Sequence, residues 1–295
     1  MSSSGKPKVL ITGAGGQVGL ELQAMAPSHW QILPCRSSEL DVSHPDAVYR
    51  LVSREKPAVI IHAAAYTDVD GAEHNVHRAE AVNTAGAANV ARAAVRVEAR
   101  MIHLSTDFVF DGCQGQPFAP NDRANPLGVY GRTKLEGERE VTALTRGAAL
   151  IVRTAWVYSS RERNFVLTML RLMREQDSIG VVSDQVGTPT WGRVLAEALW
   201  RAAERAELRG ILHWTDAGVA SWYDFAVAIQ EEAVAVGLLT RAVPIKPLRT
   251  EDFPRPAKRP AYSVLDKTTG WALLGGPPRH WRINLRDMLR GMARA

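Results

Sequence analysis

Tyr130 and Lys134 stand four residues apart in VYGRTKLEGE, a stretch patterned as a helix, so their side chains share one face. A phenol next to an ammonium is a candidate proton donor, because the cation favours the phenolate and draws the tyrosine pKa toward working pH. Alone, the pair is equally a solvated helix face; its neighbours decide. Upstream, LSTDFVFDG ends an apolar run with Ser105, Thr106 and Asp107. A hydroxyl at such a strand end can polarise a carbonyl and steady a developing alkoxide, or simply cap the strand. Near the start of the chain, VLITGAGGQVG sets Gly13, Gly16 and Gly19 between a short β-like run and a helical one. Glycines there allow a tight turn and let backbone approach a pyrophosphate resting on the helix N-terminus. Their spacing is Gly-x-x-Gly-x-x-Gly, not the commoner Gly-x-Gly-x-x-Gly. Hydroxyl, tyrosine and lysine downstream of a dinucleotide loop make a proton-transfer unit beside a hydride carrier.

Arg36 falls just past the second strand, where an acid would bind the adenosine ribose of NAD. An arginine there can instead meet a 2′-phosphate, so NADPH is the expected cofactor, with NADH also accepted; a solvated arginine is the alternative. Asp41, in LDVSH, has two readings, an adenine contact or a helix N-terminal acid. HAAAYTDVD closes the third strand with small residues, which admit a ligand at the sheet edge or simply pack a helix on the sheet.

These residues need a scaffold that brings strand ends together. KVLITG, WQILPC, AVIIHAAA, RMIHLSTDFVF and ALIVRTAWVY are continuous apolar runs separated by helical stretches at Gln17 to Ala26, Asp46 to Lys56, Glu73 to Val97 and the tyrosine helix. Strands buried on both faces look like this, so the expected fold is α/β, a doubly wound parallel sheet of the NAD(P)-binding Rossmann-like kind. The later helical patterns, NFVLTMLRLMREQ, GRVLAEALWRAAERAE and SWYDFAVAIQEEAVAVG, alternate with proline-rich loops. We expect residues 1–160 to form the cofactor domain, part of 186–215 to return to it, and 161–295 to form a smaller substrate-side domain.

The chain has 295 residues, 46% hydrophobic and 23% charged, the composition of a globular protein with a sizeable core. Two cysteines, Cys35 and Cys113, build neither a disulfide framework nor a zinc site, which suits a reducing compartment. No signal peptide is evident and no stretch reaches the roughly 20 apolar residues of a membrane span, so we expect a cytoplasmic protein. The net charge of +5 and pI near 9.4 do not mark a nucleic-acid binder, because the densest basic group, RPAKRP from Arg255, is short and proline-broken. His74 and His77 could chelate a metal, but no third ligand is suggested and a solvated face is the better reading. Trp191, Trp200, Trp214 and Trp222 read as core or interface.

With these pieces in order, the chain resembles the extended short-chain dehydrogenase/reductases, and among them the dTDP-4-dehydrorhamnose reductases. The resemblance is carried by AAAYTDVDGAE, STDFVFDG, NPLGVYGRTKLEGE, RTAWVY, NFVLTMLRL, DQVGTPT and KRPAYSVLD, in that order, from about residue 8 to 290. It implies hydride transfer from NAD(P)H to the C4 keto group of dTDP-4-dehydro-L-rhamnose, giving dTDP-L-rhamnose. It also implies that Gly16, Gln17 and Val18 present backbone to the pyrophosphate and that Arg36, Asp41 and Val42 flank the adenosine. Ala65, Tyr66 and Thr67 would line the way to the nicotinamide. Thr106, Tyr130 and Lys134 would be catalytic, with Lys134 also on the nicotinamide ribose, while Thr106, Asp107 and Trp156 meet the nucleotide-sugar. Phe108 departs from the pattern, where tyrosine is common, and loses a hydroxyl.

Related 4,6-dehydratases carry an Asp-Glu pair, but Asp107 is followed here by Phe108, so their second acid is missing. Epimerase–reductases use a cysteine and a histidine, and nothing in the sequence sets a histidine beside Cys113. A plain reductase fits best. The alternatives are a non-catalytic regulatory subunit, like the methionine adenosyltransferase β subunit that resembles these enzymes, and a reductase or epimerase of another nucleotide-sugar. The expected state is a monomer or homodimer.

Overall fold

Residues 5–294 are described by a computed structural model. Lys8–Thr12 (β1), Gln17–Ala24 (α1), Gln31–Cys35 (β2), Pro45–Glu55 (α2) and Val59–His62 (β3) alternate as the sequence patterns require. Val69–His74 (α3), Val76–Glu80 (α4), Ala87–Arg96 (α5), Arg100–Thr106 (β4), Val129–Leu144 (α6) and Leu150–Thr154 (β5) complete the first half. The second half comprises Val157–Tyr158 (β6), Phe165–Glu175 (α7), Ile179–Val182 (β7), Val186–Gly187 (β8), Thr190–Trp191 (β9) and Gly192–Ala203 (α8). Gly210–His213 (β10), Ala220–Ser221 (β11), Trp222–Ala235 (α9), Ile245–Leu248 (β12), Thr268–Leu273 (α10) and Trp281–Ala293 (α11) follow.

One sheet runs β2-β1-β3-β4-β5-β10, and every neighbouring pair is parallel. Val9, Leu10 and Ile11 are consecutive and all 0% exposed, although successive strand residues point to opposite faces. Both faces must therefore be covered. Val9 and Ile11 pack with Leu22 of α1 and Leu195 and Leu199 of α8. Leu10 packs with Val48 of α2, Val90 of α5 and Val141 of α6. A separate core joins α7, α9 and α11 around Phe225, Leu170 and Leu285. The second half of the chain thus supplies α8 and β10 to the first sheet and builds its own core elsewhere. The strand order reverses between β1 and β3, which opens a crevice at the carboxyl ends of those strands. No helix among the described residues is long and apolar enough to cross a membrane.

Two expected elements are broken in the structure. The single helix expected from Glu73 to Val97 is interrupted at Asn75, whose φ of −124° leaves the helical range, and again by a π-helical turn, Ala81–Gly86. That turn presents Asn83 to the chain leaving β3. The Asn83 amide accepts from Tyr66 N at 2.8 Å and donates to Tyr66 O at 3.2 Å and Thr133 Oγ1 at 3.0 Å. Extra turns of this kind recur where a helix must re-aim a functional group. The run ALIVRTAWVY likewise ends as a strand at Thr154, because Trp156 adopts a φ of 45° and turns the chain out of the sheet.

Candidate active site

The crevice widens into a cleft of about 880 Å³. Gly13 opens it, with a φ of 69° and a backbone so close to Ala64 that a Cβ would sit 2.6 Å from Ala64 N. Only glycine meets both demands. Gly16 then precedes α1 with no side chain capping the helix, so the first-turn N–H groups face the cleft without a side-chain acceptor. Gly19, Gln17 and Val18 line the same wall. Such an end favours an anion.

Beyond β2, the Arg36 side chain lies along Gly15, its Cγ 3.5 Å from where a Cβ would stand. Among the described residues its guanidinium forms no ion pair, and Ser37 and Ser38 line the cleft beside it. Asp41 does not cap α2, whose N-cap is His44. Its carboxylate accepts from Ser43 Oγ at 2.6 Å, Ser43 N at 3.0 Å and Arg78 Nη2 at 3.2 Å. Those bonds, the Ser43 hydroxyl first, hold it below the usual carboxylate range. Val42, Ala65, Tyr66 and Thr67 line the cleft as well.

At the far end, Thr106 Oγ1 donates to Asp107 Oδ1 at 3.1 Å and accepts from Phe108 N at 3.2 Å. Lys134 is 3% exposed, and its Nζ donates to Leu104 O at 2.6 Å, one residue short of Ser105. Phe108 meets Tyr130 edge to face, ring centroids 5.7 Å apart. Burial pushes the Tyr130 phenol up to about 12, with the Thr106 hydroxyl acting the other way, and pulls Lys134 down to about 8. The expectation that Lys134 draws the tyrosine pKa downward is therefore corrected. Desolvation of the phenol dominates, and the carboxylate of Asp107 acts in the same direction. Burial also raises Asp107 to about 6, with the neighbouring Ser263 and Thr106 hydroxyls opposing it.

Three buried oxygens of the cleft, Ser105 Oγ, Asp107 Oδ2 and Thr154 Oγ1, have no hydrogen-bond partner among the described residues. Buried polar atoms of this kind ordinarily have partners, so they mark the polar floor of the cleft. The cleft thus combines an anion-receiving helix end, a confined phenol and ammonium, and unpartnered acceptors. That set can bind a dinucleotide and deliver a proton.

Every residue given a cofactor, substrate or catalytic role from the sequence lines this one cleft, from Gly13 through Arg36 and Lys134 to Trp156. Reasoning from sequence missed Asn83, Arg78, Arg163, Arg259 and Trp222. Trp222, expected in core or interface, does pack against the core of α7, α9 and α11, but it also lines the cleft, where it stacks on Trp156. Nothing in a lone tryptophan after Ser221 signals that contact. Asp70 of α3 pins Arg255 Nη2 at 2.5 Å and Arg259 Nη2 at 2.9 Å, and these bonds, acting against burial, hold it at about 2. Two of the three cations in RPAKRP thereby share one carboxylate. Cys113 is exposed and outside the cleft lining, which leaves no cysteine where an epimerase would need one.

Residues 7–294 match the RmlD substrate binding domain family. The chain is 41% identical over 288 residues to the dTDP-4-dehydrorhamnose reductase of Aggregatibacter actinomycetemcomitans, covering 95% of this chain and 98% of that one. The crystal structure of a dTDP-4-dehydrorhamnose reductase from Clostridium acetobutylicum is 40% identical and superposes with a TM-score of 0.90, covering 97% of this chain and 99% of that one. That of the Bacillus anthracis reductase, in complex with NADP, is 35% identical with a TM-score of 0.90, covering 96% and 98%. Near-complete coverage at these identities makes the chain a member of the dTDP-4-dehydrorhamnose reductase family.

Proposed function

We infer that this protein reduces the C4 keto group of dTDP-4-dehydro-L-rhamnose with NADPH, and less readily NADH, to give dTDP-L-rhamnose. The observation that carries the reading is the meeting of Thr106, Tyr130 and Lys134 in a cleft that begins at an uncapped helix end. When bound, the reduced nicotinamide supplies the hydride that C4 receives. Backbone of Gly13, Gly16, Gln17, Val18 and Gly19 cradles the pyrophosphate, while Arg36, Asp41 and Val42 border the adenosine. Ala65, Tyr66 and Thr67 wall the passage toward the nicotinamide.

Tyr130 gives its phenolic proton to the sugar O4 as the alkoxide forms, and the Thr106 hydroxyl hydrogen-bonds the same oxygen. A phenol held near 12 suits this direction, because at neutral pH the proton sits on the donor. The Lys134 ammonium favours the phenolate left behind, which takes a proton from solvent before the next turnover, and holds the nicotinamide ribose. Asp107 and Trp156 face the nucleotide-sugar. Residues 161–295, apart from the stretch that carries α8 and β10, act as the substrate-side domain. The protein works in the cytoplasm as a monomer or homodimer.

Purified protein mixed with NADPH and dTDP-4-dehydrorhamnose should oxidise the cofactor mole for mole with dTDP-L-rhamnose formed. Binding of cofactor without turnover would overturn this reading and favour a regulatory subunit.

Two expectations concern the cofactor. Lys134 is charged below about 8, so NADPH should bind with a rising Kd as pH climbs through that value. Titrations from neutral to alkaline pH check this, and Lys134→Met should weaken binding and erase the dependence. Arg36→Ala should weaken NADPH by roughly 10-fold, the low end for charge-assisted bonds at an exposed site, and barely alter NADH. Equal weakening of both cofactors would show that Arg36 does not meet the 2′-phosphate.

A further inference from the structure

Trp156 combines three unusual features. Its φ of 45° is a backbone conformation that costs a bulky residue and persists only where surroundings enforce it. Its indole lies flat on that of Trp222, centroids 3.5 Å apart and planes within 5°. It also passes so close to Gly187 that a Cβ there would stand 2.5 Å from the indole Cε2 and 2.7 Å from Nε1. Trp156 O accepts from Thr190 N at 3.1 Å, which ties the turn itself to the start of β9.

The holders of this ring are themselves anchored. Gly187 pairs with Ala220 in the β8–β11 ladder. Trp222 opens α9 directly after Ser221, whose hydroxyl accepts from Asp224 N at 3.0 Å in a reciprocal cap. Behind Trp222 stands Phe165 at 4.5 Å, which continues to Phe225 and the core of α7, α9 and α11. Trp156 and Trp222 both line the cleft. A flexible aromatic would need none of this support, whereas a contact surface of fixed orientation does.

We propose that Trp222 and Gly187 are positioning residues that hold Trp156 as a rigid platform for the nucleotide-sugar, and so set how tightly that substrate, but not the cofactor, is held. The proposal rests on the placing of Trp156 against the sugar in the proposed function. Trp222 covers one face of the indole, and the part that lines the cleft gives apolar contact to the C–H face of a deoxysugar ring, with a worth that depends on the angle at which it is fixed.

The test is a double-mutant cycle on the full chain, read as kcat and KM for the nucleotide-sugar, Kd for NADPH, and thermal melt. Trp222→Ala should raise KM by about 2- to 12-fold, the worth of an aromatic pair, with a smaller fall in kcat and an unchanged NADPH Kd. Trp222→Phe should restore most of it, and Gly187→Ala should raise KM without removing any polar group. Trp156→Ala should raise KM at least as far, and adding Trp222→Ala to it should cost nothing more. If Trp156→Ala alone leaves KM unchanged, the role given to Trp156 fails and the proposal with it. If Trp156→Ala raises KM but Trp222→Ala and Trp222→Phe do not, or their effects simply add to it, the platform is not held by Trp222 and only the proposal falls. A Trp222→Ala variant that loses melt, kcat and NADPH binding together, with no rescue by phenylalanine, marks a merely structural residue and also overturns it.

Discussion

Tyr130→Phe is expected to lower turnover by about 10²- to 10⁴-fold, the usual worth of a positioned proton donor, with the fold and NADPH binding intact. The substitution removes one oxygen and keeps the ring that meets Phe108 edge to face. In the proposed mechanism its hydroxyl is the acid, because the other candidates are poorly suited. The Lys134 ammonium is anchored by its hydrogen bond to Leu104 O at 2.6 Å, and in the proposed mechanism it holds the nicotinamide ribose. Asp107, at about 6, is mostly ionised at neutral pH. Residual activity should therefore depend on solvent for its proton. Steady-state rates beside a melting curve decide the matter: near-normal turnover in a variant that melts normally would end the proposed chemistry.

Arg153→Met is expected to destabilise the fold by about 3–5 kcal/mol, the cost of leaving one member of a buried ion pair uncompensated. Arg153, on β5, donates from Nε to Glu138 Oε1 at 2.9 Å and from Nη2 to Oε2 at 2.7 Å, and both side chains are 3% exposed. Glu138 lies on α6, one turn beyond Lys134, so the pair fastens the helix that carries Tyr130 and Lys134 to the sheet. A fall in melting temperature of roughly 10 °C should follow. Replacing both partners, Arg153→Met with Glu138→Leu, should recover much of the loss, since no charge is then stranded. A single variant that melts like the parent would mean that Glu138 finds water or another donor.

Much of this was readable along the chain, for a physical reason. A strand covered on both faces must be apolar at every position, so KVLITG and AVIIHAAA announce β1 and β3 without any partner in view. A tight turn from strand into helix takes Gly13 to a positive φ and leaves no room for a Cβ at Gly19, so glycine at both is a demand of the turn itself. Tyr130 and Lys134 share a face through helix geometry alone. Each is a constraint that a few neighbouring residues settle among themselves.

The rest depends on contacts between residues far apart in the chain, which no local pattern encodes. The helix expected from Glu73 to Val97 breaks because Asn83 answers to Tyr66 and to Thr133, fifty positions away. Trp156 leaves its strand because the surroundings of Gly187, Thr190 and Trp222 hold it there. Both arginines of RPAKRP are held by Asp70, 185 positions upstream of Arg255. The tyrosine pKa moved opposite to expectation for the same reason. The sequence determined which charges stand near Tyr130 on its own helix, but desolvation is set by everything that packs around the phenol, and only the folded chain decides how much water is excluded.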